Sequence, residues 1–240
     1  MKNKKYKLDY NDLISVDGHT LYRIICLADI GEVKENEKGG YIETERNLSH
    51  DGESWVGGNA CVFENANVFG DAQVYGNSKV YGNARICDNA KVYDYAEVYD
   101  NAQIYGSAKI YGNAKVYGDA EVSDNADVFG YAKVYSSSWV YESAEVYGNA
   151  EVSDNADIFG YAQVYDNAKV YDNASVYKYA RVYGNAEVFG SVEVYGLAKV
   201  YGDAQVYGTS QIFGIAEVCN QDKVFKDTWV YDNNHDTGRA

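Results

Sequence analysis

From Trp55 onward, small, polar, aliphatic and aromatic residues follow one another with a period of six. The unit reads Asn-Ala-Lys-Val-Tyr-Gly at residues 113–118. Anchored on the aliphatic position, the frame runs from Val56 to Val230, which is 174 residues or 29 steps, and therefore 30 hexads. All 30 aliphatic positions are Val or Ile, and the position two residues earlier is Ala in 23 of them. The exceptions at that position are Ser54, Ser78, Ser138, Ser210, Val192, Asp222 and Thr228. The frame never slips, so no loop interrupts the repeat. Periodicity this regular specifies a solenoid rather than a globular core.

Each unit predicts a short strand and a corner. Ala-Lys-Val-Tyr alternates inward and outward positions, the period of a β-strand. Gly-Asn or Asp-Asn then supplies residues that accept positive φ cheaply. Proline would delete ladder hydrogen bonds almost anywhere in such a coil, and the chain has none. Residues 1–53 lack hexads. Leu13–Val16, Asp17-Gly18 and His19–Leu27 predict a β-hairpin. Gly39-Gly40 predicts a turn into a further short strand at Tyr41–Glu43. This N-terminal module is expected to cap the first coil and hide its strand edge. The organisation expected is a capping module at 1–53, a solenoid at 54–232 and a loose tail at 233–240.

The Ala-x-Val-x-x-x pattern resembles the hexapeptide repeat of left-handed parallel β-helices. That resemblance covers Ser54 to Asp232 and implies an all-β, left-handed, triangular helix of three hexads per 18-residue coil. Handedness comes from the resemblance, because the general crossover rule favours right-handed connections. Thirty hexads then give ten coils, about 48 Å at the ordinary strand spacing. The segment Gly39-Gly40-Tyr41-Ile42-Glu43, with Glu45, Asn47-Leu48-Ser49 and Trp55-Val56, is similar to a bacterial and prophage-encoded group often labelled acyltransferases. The label follows the fold, and fold does not imply function. Tyr or Phe after the aliphatic residue departs from the family pattern.

Composition narrows the function classes. Twenty-one Lys+Arg against 36 Asp+Glu give a net charge of −15. So acidic a chain is ill suited to phosphate-backbone binding, and no direct nucleic-acid partner is expected. The longest wholly apolar stretch, Ile24–Ala28, is far shorter than the roughly 18 to 20 residues of a membrane helix. Asp9, Asn11 and Asp12 stand where a signal peptide would be apolar, so a cytoplasmic location is expected. Cys26, Cys61, Cys87 and Cys219 are too scattered for a disulfide framework or a thiolate zinc site. No motif calls for a cofactor or metal. Corner carboxylates such as Asp154 and Asp172 are turn residues first and a hard-cation site second.

The outward positions carry the candidate chemistry. The residue after the aliphatic one is aromatic in 25 of 30 hexads. Sorted by 18, one unbroken column holds Tyr75, Tyr93, Tyr111, Phe129, Tyr147, Tyr165, Tyr183 and Tyr201. Such a column stabilises neighbouring coils by stacking or offers an aromatic surface to a partner. Trp55, Trp139 and Trp229 also face outward, Trp139 and Trp229 on the same face. Tryptophan there is an interface anchor or an edge cap. Hexapeptide acyltransferases use a histidine base in a groove between trimer subunits, often built by an inserted loop. Here His19, His50 and His235 lie outside the hexads, so no coil residue can be assigned the base. Only Thr209 and Thr228 fall within the coils, which removes ice binding. The sequence therefore predicts a non-enzymatic scaffold or protein-interaction module, with a protein partner or self-association as a trimer or end to end. The alternative is an acidic, phage-encoded mimic that occupies a nucleic-acid-binding enzyme.

Overall fold

The computed structural model describes residues 4–232. The chain is an all-β parallel β-solenoid of about 11 turns, with a β-rich N-terminal region. It divides after Gly118 into two compact units. Among the described residues no helix is long and apolar enough to cross a membrane.

Unit 1 opens with the expected hairpin, β1 (Tyr6–Val16) against β2 (His19–Cys26), turning at Asp17 and Gly18 with φ of 51° and 90°. Strand β3 (Lys38–Ile42) pairs antiparallel with β2 and, on its other edge, parallel with Cys61–Val62. The hairpin thus extends one sheet of the coil. Gly39 and Gly40 lie within β3 instead of forming the predicted turn. Their lack of a side chain serves close approach: a Cβ on Gly39 would stand 2.4 Å from Ile24 Cγ1 and 2.7 Å from Trp55 Cζ2.

One turn more is present than the hexads alone imply. Ile42 pairs over Val62 and Leu48 bridges to Val68, both fully buried, so they act as the aliphatic residues of an earlier turn. Leu48 precedes Val56 by eight residues rather than six, which is why the sequence frame stops at Val56. A 3-10 turn, Glu45–Asn47, occupies this stretch. Buried Asn47 donates to the carbonyls of Glu64 and Ala66 at 3.0 and 2.9 Å, replacing ladder bonds that the irregular backbone omits. Lys5 completes the cap. Its ammonium donates to Ser54 O at 2.7 Å and Ser54 Oγ at 3.0 Å, and burial pulls its pKa down to about 8. Tyr6 donates to Leu48 O at 2.8 Å.

In both units the coils behave as the alternation dictates. Two-residue strands pair in parallel with strands 18 residues away, giving three sheets per turn: Gln73 with Lys91, Glu97 with Lys115, Gln103 with Arg85 in unit 1. Unit 2 repeats this at Glu145 with Gln163, Lys133 with Glu151 and Trp139 with Asp157. Ala and Val or Ile fill the interior almost without exposure. Ser78, Ser138 and Ser210 replace Ala at no polar cost, because each hydroxyl donates to the carbonyl three residues before it. Every first-corner residue from Gly58 to Lys226 has φ between 56° and 83°. A Cβ on Gly82 would come 2.7 Å from the amide nitrogen of Asp100, so close packing of successive corners favours glycine there.

Candidate interaction surface

The outward tyrosines stack on one another. In unit 1, Tyr75–Tyr93 and Tyr93–Tyr111 have centroids 4.9 Å apart and planes within 3°. In unit 2, Tyr147–Tyr165, Tyr165–Tyr183 and Tyr183–Tyr201 repeat the 4.9 Å spacing. Faces are consumed within each column, which leaves ring edges toward solvent. Burial raises the Tyr99 phenol to about 12 and moves Tyr147 and Tyr165 in the same direction. These columns therefore stabilise the coils and offer a partner little ring face.

The corner acids are also engaged. Asp88 accepts from Gly106 N at 3.1 Å, Asp166 from Gly184 N at 3.2 Å, and Asp154 from Asp172 N at 3.4 Å. Each carboxylate ties its corner to the next. The flat rows pair weakly across turns, as Lys115–Glu97 and Lys133–Glu151 show at 3.0 and 2.9 Å; exposed pairs of this kind contribute little.

The tryptophans divide. Trp55 is 7% exposed and packs against the capping module, whereas Trp139 and Trp229 are 49% and 63% exposed. Trp139 and Trp229 stand at the two ends of one row in unit 2, through Asp157, Ser175, Glu193 and Gln211. His19 and His50 belong to the cap. His19 sits between Glu43 and Glu64, at 3.0 and 3.4 Å, and Glu43 above all raises its pKa. His50 stacks on Tyr6 at 4.3 Å. His235 lies outside the described residues.

The most exposed apolar feature is one that the hexad reading passed over. Tyr161, Tyr179, Leu197 and Ile215 occupy the second corner position on four successive turns and are 57–62% exposed. Earlier turns of that column carry Asp71, Asn89, Ser107, Asn125 and Ser143, ordinary turn residues. Tyr161 and Tyr179 stack at 5.1 Å. Beside this ridge runs a groove lined by Tyr179, Arg181, Leu197, Lys199, Ile215 and Glu217. Lys199 pairs with Glu217 at 2.7 Å, while Arg181 has no ion pair or hydrogen bond among the described residues. Sorting the second corner position by 18 residues exposes the change from polar to apolar. The hexad pattern hides it, because the corner is the least regular position.

The repeat described as YdcK Beta solenoid repeat matches residues 162–178, just short of one 18-residue turn in unit 2. The match supports a β-solenoid repeat. No curated protein matches the chain.

Proposed function

We propose that the chain is a non-catalytic β-solenoid that docks a protein partner along Tyr161, Tyr179, Leu197 and Ile215. The observation that carries this reading is the replacement of turn residues by four exposed apolar side chains on successive turns. Nothing in the coil requires them, and monomeric surfaces seldom keep such stripes uncovered. Arg181, unpaired beside the ridge, favours a partner segment that combines apolar side chains with a carboxylate. Trp229 and Trp139 are secondary anchors in another row of the same unit. The Ala-x-Val pattern and the three-sheet turn support classing the repeat as hexapeptide type, without the acyltransferase label that often accompanies it.

Replacing Leu197 by Asn and Ile215 by Ser restores the residues common at this corner and should leave thermal stability intact. Complex formation in host extract, followed by size-exclusion chromatography with light scattering, should be lost in that double variant and weakened by Arg181→Glu. Equal complex formation by wild type and double variant would overturn the assignment.

A further inference from the structure

A second feature, in unit 1, has the make-up of a small-molecule site. The segment Ile30–Val33 forms a tight turn closed by two reciprocal backbone hydrogen bonds of 2.9 Å, with Gly31 at φ 55°. Asp29 braces it, accepting from Glu35 N at 2.9 Å and from Lys34 Nζ at 3.1 Å. The turn projects beside the outward row Trp55–Gln73–Lys91, whose members pair in register. Between them lies a cleft of about 390 Å³, also lined by Glu32, Glu53 and Tyr75. This volume is at the lower end of the range of ligand sites.

Two details make the cleft unlike the rest of the surface. Gly57 stands where the ladder would have a ring, so Tyr75 is stacked on one side only, by Tyr93, and is 38% exposed. The hydrogen-bonding groups are also unspent. The side chains of Glu32, Glu53, Gln73 and Lys91 and the indole N–H of Trp55 have no hydrogen bond or ion pair among the described residues. Trp55 is otherwise nearly buried.

We infer that this cleft binds a neutral saccharide of one or two rings. Donors from Trp55, Gln73 and Lys91 and acceptors from Glu32, Glu53 and Gln73 surround an aromatic face. A hydroxyl both donates and accepts, and a pyranose offers C–H faces to Tyr75 while its hydroxyls meet both kinds of group. Two carboxylates oppose a phosphate, Lys91 opposes a cation, and five polar side chains oppose a purely apolar ligand. The site is separate from the protein-docking ridge and stands or falls independently of it.

The test is binding of maltose, cellobiose, lactose, sucrose, N-acetylglucosamine and chitobiose, read by saturation-transfer NMR on the full chain. A Trp139→Phe/Trp229→Phe background makes Trp55 the sole fluorophore for a parallel titration. At least one sugar should bind saturably and change Trp55 emission. Gln73→Ala and Lys91→Ala, both at exposed positions, should weaken it tenfold or more without lowering the melting temperature. Tyr75→Ala should abolish it. No binding by any sugar overturns the inference, as does binding that the Gln73 and Lys91 variants leave unchanged.

Discussion

Two ionisable side chains at the cap have opposite pH dependence. Glu43 and Glu64 hold His19 above its ordinary pKa, so its contribution is present in acid and is lost as pH rises through that raised value. Burial holds Lys5 down at about 8 instead of 10.5, so the unfolded chain binds more protons between those values and stability rises with pH there. Hydrogen exchange of β1 and β2 amides, corrected for intrinsic rates, should show protection falling above pH 6.5 and recovering above pH 8. His19→Asn should remove the fall and Lys5→Met the recovery. A pH-independent profile in wild type would contradict both assignments. Neither contact was legible in the sequence. Lys5 lies 49 residues from Ser54, and no local pattern links an N-terminal lysine to an inward serine.

At the scale of the element, the ladder is the stabilising device that the outward columns left open. Tyr165→Ser in unit 2 removes two ring stacks of 4.9 Å. At about 0.5–1.5 kcal/mol per aromatic pair, it should destabilise unit 2 by roughly 1–3 kcal/mol. Trp139→Ala, at an exposed outward position, should cost less than about 0.5 kcal/mol. Urea denaturation followed by circular dichroism separates the two; equal costs would mean that the ladder contributes nothing special. The hexad pattern made these strands legible because inward Ala and Val repeat strictly and the corner φ follows from Gly, Asn and Asp. It failed at Gly39 and Gly40, where glycine answers a tertiary contact with Ile24 and Trp55. It also failed at Leu48, where two extra residues broke the frame while the turn continued.

For the whole molecule, stacking and burial shift phenol ionisation in both units. Tyr99 is raised to about 12, and Tyr81, Tyr171 and Tyr177 move in the same direction. Spectrophotometric titration should show a large share of the 26 tyrosines ionising well above pH 10, with the remainder released only as the coils unfold in base. A single transition near pH 10 would mean that the columns are loosely packed in solution. The net charge of −15 is not a free acidic field, since corner carboxylates accept backbone amides from the next turn. That weakens electrostatic mimicry and directs attention to the apolar ridge. The ridge escaped the sequence reading because a repeat reveals what recurs, whereas Tyr161, Tyr179, Leu197 and Ile215 matter by departing from it. The most direct measurement is photo-crosslinking in the host from benzoylphenylalanine at Leu197, with Asn125 of the same column as control. One discrete protein adduct at position 197, absent at 125 and reduced by Arg181→Glu, is the expected result. No adduct, or the same adducts from both positions, would contradict docking at the ridge.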